Sequence, residues 1–242
     1  IFLWCHHIIP LGYYFPILNW EYYIMMTNTF SSIKEAEAVV GGLSRPSKMP
    51  SFAWSISARR CQTGSKLVNV KGSVCEGCYA LKNRYLFNNI QSALENRYHA
   101  WANDRERWVD AMIYLMHNKQ HIVNTGHFRF FDSGDIQGRD MLDDINSIAW
   151  ASPNIRFWLP TKEYKLIKDY DMDIAPNLVI RVSAPMIDKT FRGYTHISTV
   201  YSKDKIGIAS GYVCPAPKQG NKCDSCRACW DDGLSEVSYI AH

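Results

Sequence analysis

The sequence predicts an α/β protein built on a mainly parallel sheet, with a cysteine-rich, metal-binding extension at its C-terminal end. Three observations predict it. Short runs rich in β-branched and aromatic residues alternate with runs of helical periodicity, the order expected of βαβ units. Seven of the eight cysteines lie after residue 60, in two sets marked by C-x2-C spacing. The composition is that of an ordinary packed domain, 47% hydrophobic and 21% charged, with 14 Tyr and 8 Trp to line a cleft or interface.

The elements follow in order. Residues 1–24 are aromatic and aliphatic, but Pro10, Pro16 and Glu21 interrupt them, which makes a poor membrane-spanning helix. They also lack the basic start and small-residue cleavage site of a signal peptide. Residues 1–26 are therefore expected to be a non-native or upstream extension, with Met25 or Met26 as the natural start and Cys5, His6 and His7 as bystanders. A membrane-surface segment is the alternative. Residues 32–40 read as a short helix stopped by Gly41 and Gly42, and 51–57 (SFAWSIS) as the first strand. Residues 81–102 carry an apolar face of Leu81, Tyr85, Ile90, Leu94, Tyr98 and Trp101 and read as a long helix. A second helix, capped by Asp104, runs to Asn118. Residues 127–132 (HFRFFD) form the next strand, 138–150 a helix, 155–159 a strand, 163–170 a short helix and 177–183 (NLVIRVS) a strand. Residues 196–201 and 206–209 are weaker strand candidates. The domains expected are an α/β body over 27–210 and a cysteine-rich tail over 211–242.

The tail holds the clearest site. Cys214, Cys223, Cys226 and Cys229 follow a C-x8-C-x2-C-x2-C spacing, with Cys214 in a Cys-Pro pair. Two residues between cysteines let one turn aim both sulfurs at one centre, and a third at the same spacing wraps the loop around a larger object. That is the ligation style of a 4Fe-4S cluster. Structural zinc and disulfides are the competing readings of the same residues. Clustered cysteines without a secretory signal argue for metal in a reducing cytoplasm.

Cys61, Cys75 and Cys78 make a second set. Cys75 and Cys78 stand at the start of the expected 81–102 helix, where the dipole and free N–H groups would favour thiolate. Three ligands leave one position of a metal centre open to a substrate or cofactor. One shared four-cysteine site, borrowing from the tail, is the alternative. In a parallel sheet the functional groups gather beyond the carboxyl ends of the strands. Cys61, the Asp132-Ser133-Gly134-Asp135 turn, Thr161, Lys162 and Ser183 all follow expected strands, and Tyr79 adjoins the cysteine loop. Asp135 is also a natural helix cap, and Tyr79 a core residue. Arg129 and Arg181 lie within strands and are expected to point outward to surface partners, with an inward position facing a carboxylate or phosphate as the alternative.

This constellation resembles the radical S-adenosylmethionine fold. The resemblance implies a partial (βα) barrel with a three-cysteine 4Fe-4S cluster after its first strand, whose open iron takes the amino and carboxylate groups of S-adenosylmethionine. It also implies cofactor contacts from Tyr79, the turn at Asp132, Ser133, Gly134 and Asp135, Thr161, Lys162 and Ser183, and an auxiliary cluster in the tail. The chain departs from that pattern in one respect: thirteen residues separate Cys61 from Cys75 where the usual loop has three. More narrowly, the CxxCYA loop at Cys75, the FFDSGD turn and the CW-ended tail resemble the phage gene product 88 family over about residues 50–232.

The expectation is thus an iron–sulfur protein of radical-enzyme type in the host cytoplasm, acting on an unknown substrate and fed by a reductant protein. The alternative is a zinc- or cluster-stapled phage binding protein that contacts nucleic acid. A net charge of +4 permits an anionic partner without requiring one, and the pairs Arg59-Arg60 and Arg105-x-Arg107 are too few to indicate nucleic acid. No P-loop, dinucleotide fingerprint, HExxH or nucleophile elbow is present, and no membrane partner is expected.

Overall fold

A computed structural model describes residues 30–241, so the expectation for residues 1–26 lies outside the described residues. The helices begin where side chains satisfy their free N–H groups. The Ser32 hydroxyl accepts from the Glu35 amide at the start of α1 (Ile33–Val39). Asp104 accepts from the Arg107 amide at the start of α4 (Arg105–Asn118). Between them lie β1 (Ala53–Trp54), α2 (Gln62–Leu67), two 3-10 turns over Tyr79–Leu81 and Asn83–Leu86, and α3 (Asn88–Asn103). There follow α5 (Gln120–Thr125), β2 (His127–Phe130), α6 (Arg139–Ala151), β3 (Arg156–Thr161), α7 (Tyr164–Lys168), β4 (Leu178–Ser183), β5 (Ile197–Tyr201), β6 (Tyr212–Val213) and β7 (Glu236–Ile240).

All seven strands join one sheet in the order β1-β2-β3-β4-β5-β7-β6, and every pairing is parallel. The first five advance in sequence order. Right-handed crossovers that always step the same way put the helices on one face. Alternation along the strands agrees. Phe128, Phe130, Phe157, Leu159, Leu178 and Ile180 pack in one core with Met112, Leu115 and Met116 of α4 and Met141, Leu142, Ile145 and Ile148 of α6. The sheet is open, with β1 and β6 as its edges. Among the described residues no helix is long and apolar enough to cross a membrane.

The opposite face also needs a cover, because a parallel sheet is buried on both sides. The cysteine tail supplies it. Ala228, Cys229 and Trp230 pack with Trp158 and Val237, and the Trp230 indole N–H donates to the Phe128 carbonyl at 2.7 Å. Residues 211–241 thus continue the same sheet through β6 and β7 and cover its second face.

Four expectations are corrected. The long helix begins at Asn88, not near 81, because residues 79–86 form two 3-10 turns. Cys75 and Cys78 therefore have no α-helix N-terminus beside them, only the 3-10 turn that Cys78 precedes. Residues 206–208 are a 3-10 turn, not a strand. Arg181 does not point outward: it is fully buried, with Nε and Nη2 donating to the carbonyls of Cys229 (3.1 Å), Ala228 (2.9 Å) and Asp231 (2.7 Å). Arg129 likewise turns toward the tail, its guanidinium 4.1 Å from the centre of the Trp158 ring.

Candidate functional site

The three-cysteine loop is folded back by backbone bonds. Cys61 ends the 3-10 turn after β1 and precedes α2. The long segment to Cys75 returns because the Val74 amide donates to the Pro185 carbonyl (3.0 Å) and the Ile187 amide to the Gly72 carbonyl (2.9 Å), which pins it to the chain beyond β4. The Ser73 hydroxyl then accepts from the amides of Cys75 (3.2 Å) and Glu76 (3.0 Å), and the Cys78 amide closes the turn on the Cys75 carbonyl (3.1 Å). The thirteen intervening residues cost little, since loop-closure entropy rises slowly with length.

Gly64 faces the gap between two of these sulfurs. A Cβ there would stand 3.1 Å from Cys61 Cβ, 3.6 Å from Cys61 Sγ and 3.8 Å from Cys75 Sγ. The thiols of Cys61 and Cys75 are electrostatic neighbours of each other, of Cys78, and of Asp135 and Lys162. Burial first, then Asp135 and the other two thiols, pushes the Cys61 thiol up to about 12, while Lys162 opposes. Burial raises Cys75 as well, again against the pull of Lys162. Such thiols ionise when a positive metal core takes the proton's place.

The rim around them is formed at the carboxyl ends of β2, β3 and β4. Phe131 sits at a φ of 57° just past β2, a costly conformation for a bulky side chain, and turns the chain into Asp132. Asp132 accepts from the Ser55 hydroxyl and from Tyr85 OH (3.2 Å), and its carbonyl accepts from Tyr79 OH. Gly134, at a φ of +80°, is required by contact as well: a Cβ would lie 2.4 Å from Ile56 Cγ1 and 2.7 Å from the Ile56 carbonyl oxygen. Asp135 is buried and fully engaged. It accepts from Thr161 Oγ1 (2.6 Å), the Ile136 amide (2.8 Å) and the Lys162 amide (2.8 Å), which ties the ends of β2 and β3 together. Burial raises its carboxyl to about 6. Thr161 is spent on the same contact, and Ser183 Oγ accepts from Ser198 Oγ (3.2 Å). Ser133 Oγ is buried with no partner among the described residues.

The second group is separate. The Cys214 amide donates to the Ser238 carbonyl (2.8 Å), the Cys223 amide to the Lys48 carbonyl (2.9 Å), and the Cys226 amide closes a turn on Cys223 (2.8 Å). Asn221 and Asp224 take positive φ, as the turn-forming composition predicts. Cys214, Cys223, Cys226 and Cys229 are mutual electrostatic neighbours; burial is the first cause raising Cys214, Cys223 and Cys229, the last to about 12. Tyr239 OH lies 3.1 Å from Cys229 Sγ. In neither group do three His, Cys, Asp or Glu side chains converge closely enough to hold a single ion.

Sequence reasoning missed the sheet face beneath the tail. Arg129 Nη1 donates to Met49 Sδ (3.2 Å) and Nη2 to the Phe131 carbonyl (3.0 Å), while Arg129 Nε and Trp158 Nε1 are buried without partners. Neither Arg129 nor Arg181 has a carboxylate within ion-pair reach among the described residues. Arg129 sits close enough to Tyr79 on one side and to Cys223 and Cys229 on the other to act on all three. The signal was available: in HFRFF and RFWLPT, Arg129 and Trp158 occupy the strand positions opposite the apolar alternation. A cleft of about 440 Å³ lies elsewhere, between Phe191, Tyr194, Tyr212 and Glu236 at the amino ends of β5 and β7.

The family model described as Gene product 88 matches residues 26–232, and the chain belongs to that family. No curated protein and no solved structure matches it.

Proposed function

We propose that this protein is an iron–sulfur enzyme of the radical S-adenosylmethionine type, with an open cluster site at Cys61, Cys75 and Cys78 and a closed auxiliary site at Cys214, Cys223, Cys226 and Cys229. One observation carries the reading. Three thiols follow the first strand of a parallel sheet whose first five strands run in sequence order, and the bare backbone of Gly64 lets the chain pass close to the Cys61 and Cys75 sulfurs. The C-x2-C-x2-C run with a remote Cys-Pro is the spacing that favours a cluster over zinc, which usually takes two separated C-x2-C pairs.

The charge balance supports a filled tail site. A buried guanidinium at Arg181 and a half-buried one at Arg129, neither with a carboxylate in reach among the described residues, are unfavourable unless something anionic offsets them. Four thiolates around a metal core carry net negative charge beside Arg129, and Arg181 holds the tail backbone down with its three carbonyl contacts. The unpartnered N–H groups of Arg129 and Trp158 suit hydrogen bonds to cluster sulfur.

When bound, an iron–sulfur cluster at the open site supplies one electron for reductive cleavage of S-adenosylmethionine, which yields methionine and a carbon radical that abstracts hydrogen from the substrate. The chain's part is to hold and shield. Asp135 and Thr161 fasten β2 to β3 and have no free polar atoms for a ligand. Lys162 and Ser133 do: the ammonium beside the thiols suits the carboxylate of an amino-acid ligand, and the buried Ser133 hydroxyl awaits a partner. Tyr79 flanks this opening, its hydroxyl turned inward to Asp132.

Purification without oxygen, followed by iron, sulfide and zinc analysis, tests the reading. Iron and sulfide for two clusters are expected, with Cys78→Ala removing one and Cys226→Ala the other. Reductant and S-adenosylmethionine should then give 5′-deoxyadenosine. Stoichiometric zinc without sulfide would point instead to a zinc-stapled binding protein.

A further inference from the structure

The surface over the three-cysteine loop is both basic and apolar. From Arg59 to Arg84 the chain carries six cations, Arg59, Arg60, Lys66, Lys71, Lys82 and Arg84, against the single carboxylate of Glu76. That excess is larger than the net charge of the whole protein, +4. Arg60 pairs with Glu95. The other five are exposed and have no carboxylate partner among the described residues. Beside them stand the exposed apolar side chains of Leu86 (53% exposed), Phe87 (59%), Val70 and Ile90, with the outer face of the Tyr79 ring (54%), which rests edge-on against Tyr85. The 3-10 turns at 58–60, 79–81 and 83–86 and the start of α3 touch in succession, and α2 touches the first of them, so these segments form one contiguous region around the cysteine loop. Lys82 Nζ lies 4.0 Å from the position of a Gly77 Cβ, on the turn between Cys75 and Cys78.

We propose that this face docks the acidic surface of a one-electron carrier protein, which brings the carrier against the Cys75–Cys78 turn. The proposal rests on the iron–sulfur reading of that site: one electron leaves the reduced carrier and enters the centre held by Cys61, Cys75 and Cys78. Charge complementarity selects the occupant. An apolar patch ringed by unpaired cations fits a transient protein interface with an acidic partner, steered electrostatically and salt-sensitive. Phe87 and Tyr79 could stack bases, but the Tyr79 hydroxyl is turned inward to Asp132 and the rest of the apolar patch, Leu86, Ile90 and Val70, is aliphatic and offers nothing to phosphates or bases, which favours a protein partner. Residues 1–29 of this chain contain one acidic side chain, Glu21, and match the charge poorly.

The test uses the full chain, purified without oxygen and assayed for iron and sulfide, titrated with reduced flavodoxin as the acidic carrier and separately with a single-stranded oligonucleotide. Flavodoxin should bind, more weakly as salt rises. Arg84→Glu combined with Phe87→Ser should weaken binding about tenfold or more, mostly in the association rate, with iron and sulfide unchanged. Lys66→Glu with Lys71→Glu is the second variant and should act in the same direction. An iron-loaded protein that does not bind flavodoxin, or variants that bind as well as wild type, would overturn the docking surface and leave the cluster reading standing. Oligonucleotide binding lost in the variants, without flavodoxin binding, would overturn it in favour of nucleic acid. Flavodoxin binding by a protein that holds only zinc would sink the cluster reading and the carrier's role with it.

Discussion

Replacing Arg181 by methionine tests how the tail is held. The guanidinium is fully buried and donates to three tail carbonyls at 2.7 to 3.1 Å. Methionine keeps most of the volume and removes every donor. The Cys229 carbonyl is left without a partner, which costs about 1–3 kcal/mol. The Ala228 and Asp231 carbonyls each keep a backbone amide donor at 3.3 Å and lose one bond, about 0.5–1.5 kcal/mol apiece. Against that, the variant escapes part of the desolvation cost of a buried cation. The net expectation is a loss of about 1–3 kcal/mol. Urea unfolding followed by tryptophan fluorescence reads it. With a slope of about 2–3 kcal/mol/M, the midpoint should fall by about 0.5–1 M. Trypsin should cut earliest at Lys218, Lys222 or Arg227, since these bonds lie in the segment Arg181 pins. Arg156→Met, which removes only an exposed 3.3 Å pair with Asp232, is the control and should cost less than about 1 kcal/mol. If the two variants unfold at the same midpoint, the argument that Arg181 anchors the tail is wrong.

Further predictions address the sites. Gly64→Leu fills the space beside the Cys61 and Cys75 sulfurs, so about half of the iron should be lost on metal analysis, with the tail's share retained. Gly134→Ala forces a Cβ to 2.4 Å from Ile56 at a positive φ and should lower stability by about 2–4 kcal/mol, read as a drop in Tm. His127 is held below the ordinary histidine range, chiefly by burial beneath Trp230. A depressed histidine contributes stability that is present above about pH 6.5 and is lost as pH falls through the folded value. His127→Gln should flatten that slope in urea titrations at pH 5 to 7; an unchanged slope would assign it to another group.

Much of this protein is legible in its sequence. Alternation in HFRFF, RFWLP and NLVIRVS marks β2, β3 and β4, and Ser32 and Asp104 mark the helix starts, because local propensity and capping act within a few residues. C-x2-C spacing groups the thiols, because two residues are all a turn needs to bring sulfurs together. The start of α3 was not legible. Leu81, Tyr85, Ile90 and Leu94 read as one helical face, but the chain bends through two 3-10 turns to bring Tyr79 and Tyr85 onto Asp132, a contact with a residue more than forty positions away.

The tail shows where tertiary structure decides. Sequence marks it as a metal-binding extension from its cysteines alone. Only the sheet order shows that it belongs inside, since a parallel sheet with all its helices on one side leaves a face that water cannot cover cheaply. Trp230, Cys229 and β7 close that face, and Arg181, expected at the surface, becomes the buried anchor. Spacing between cysteines is local and can be read along the chain. Which face a cation turns to, and what covers it, depends on strands that meet only when the whole sheet has formed.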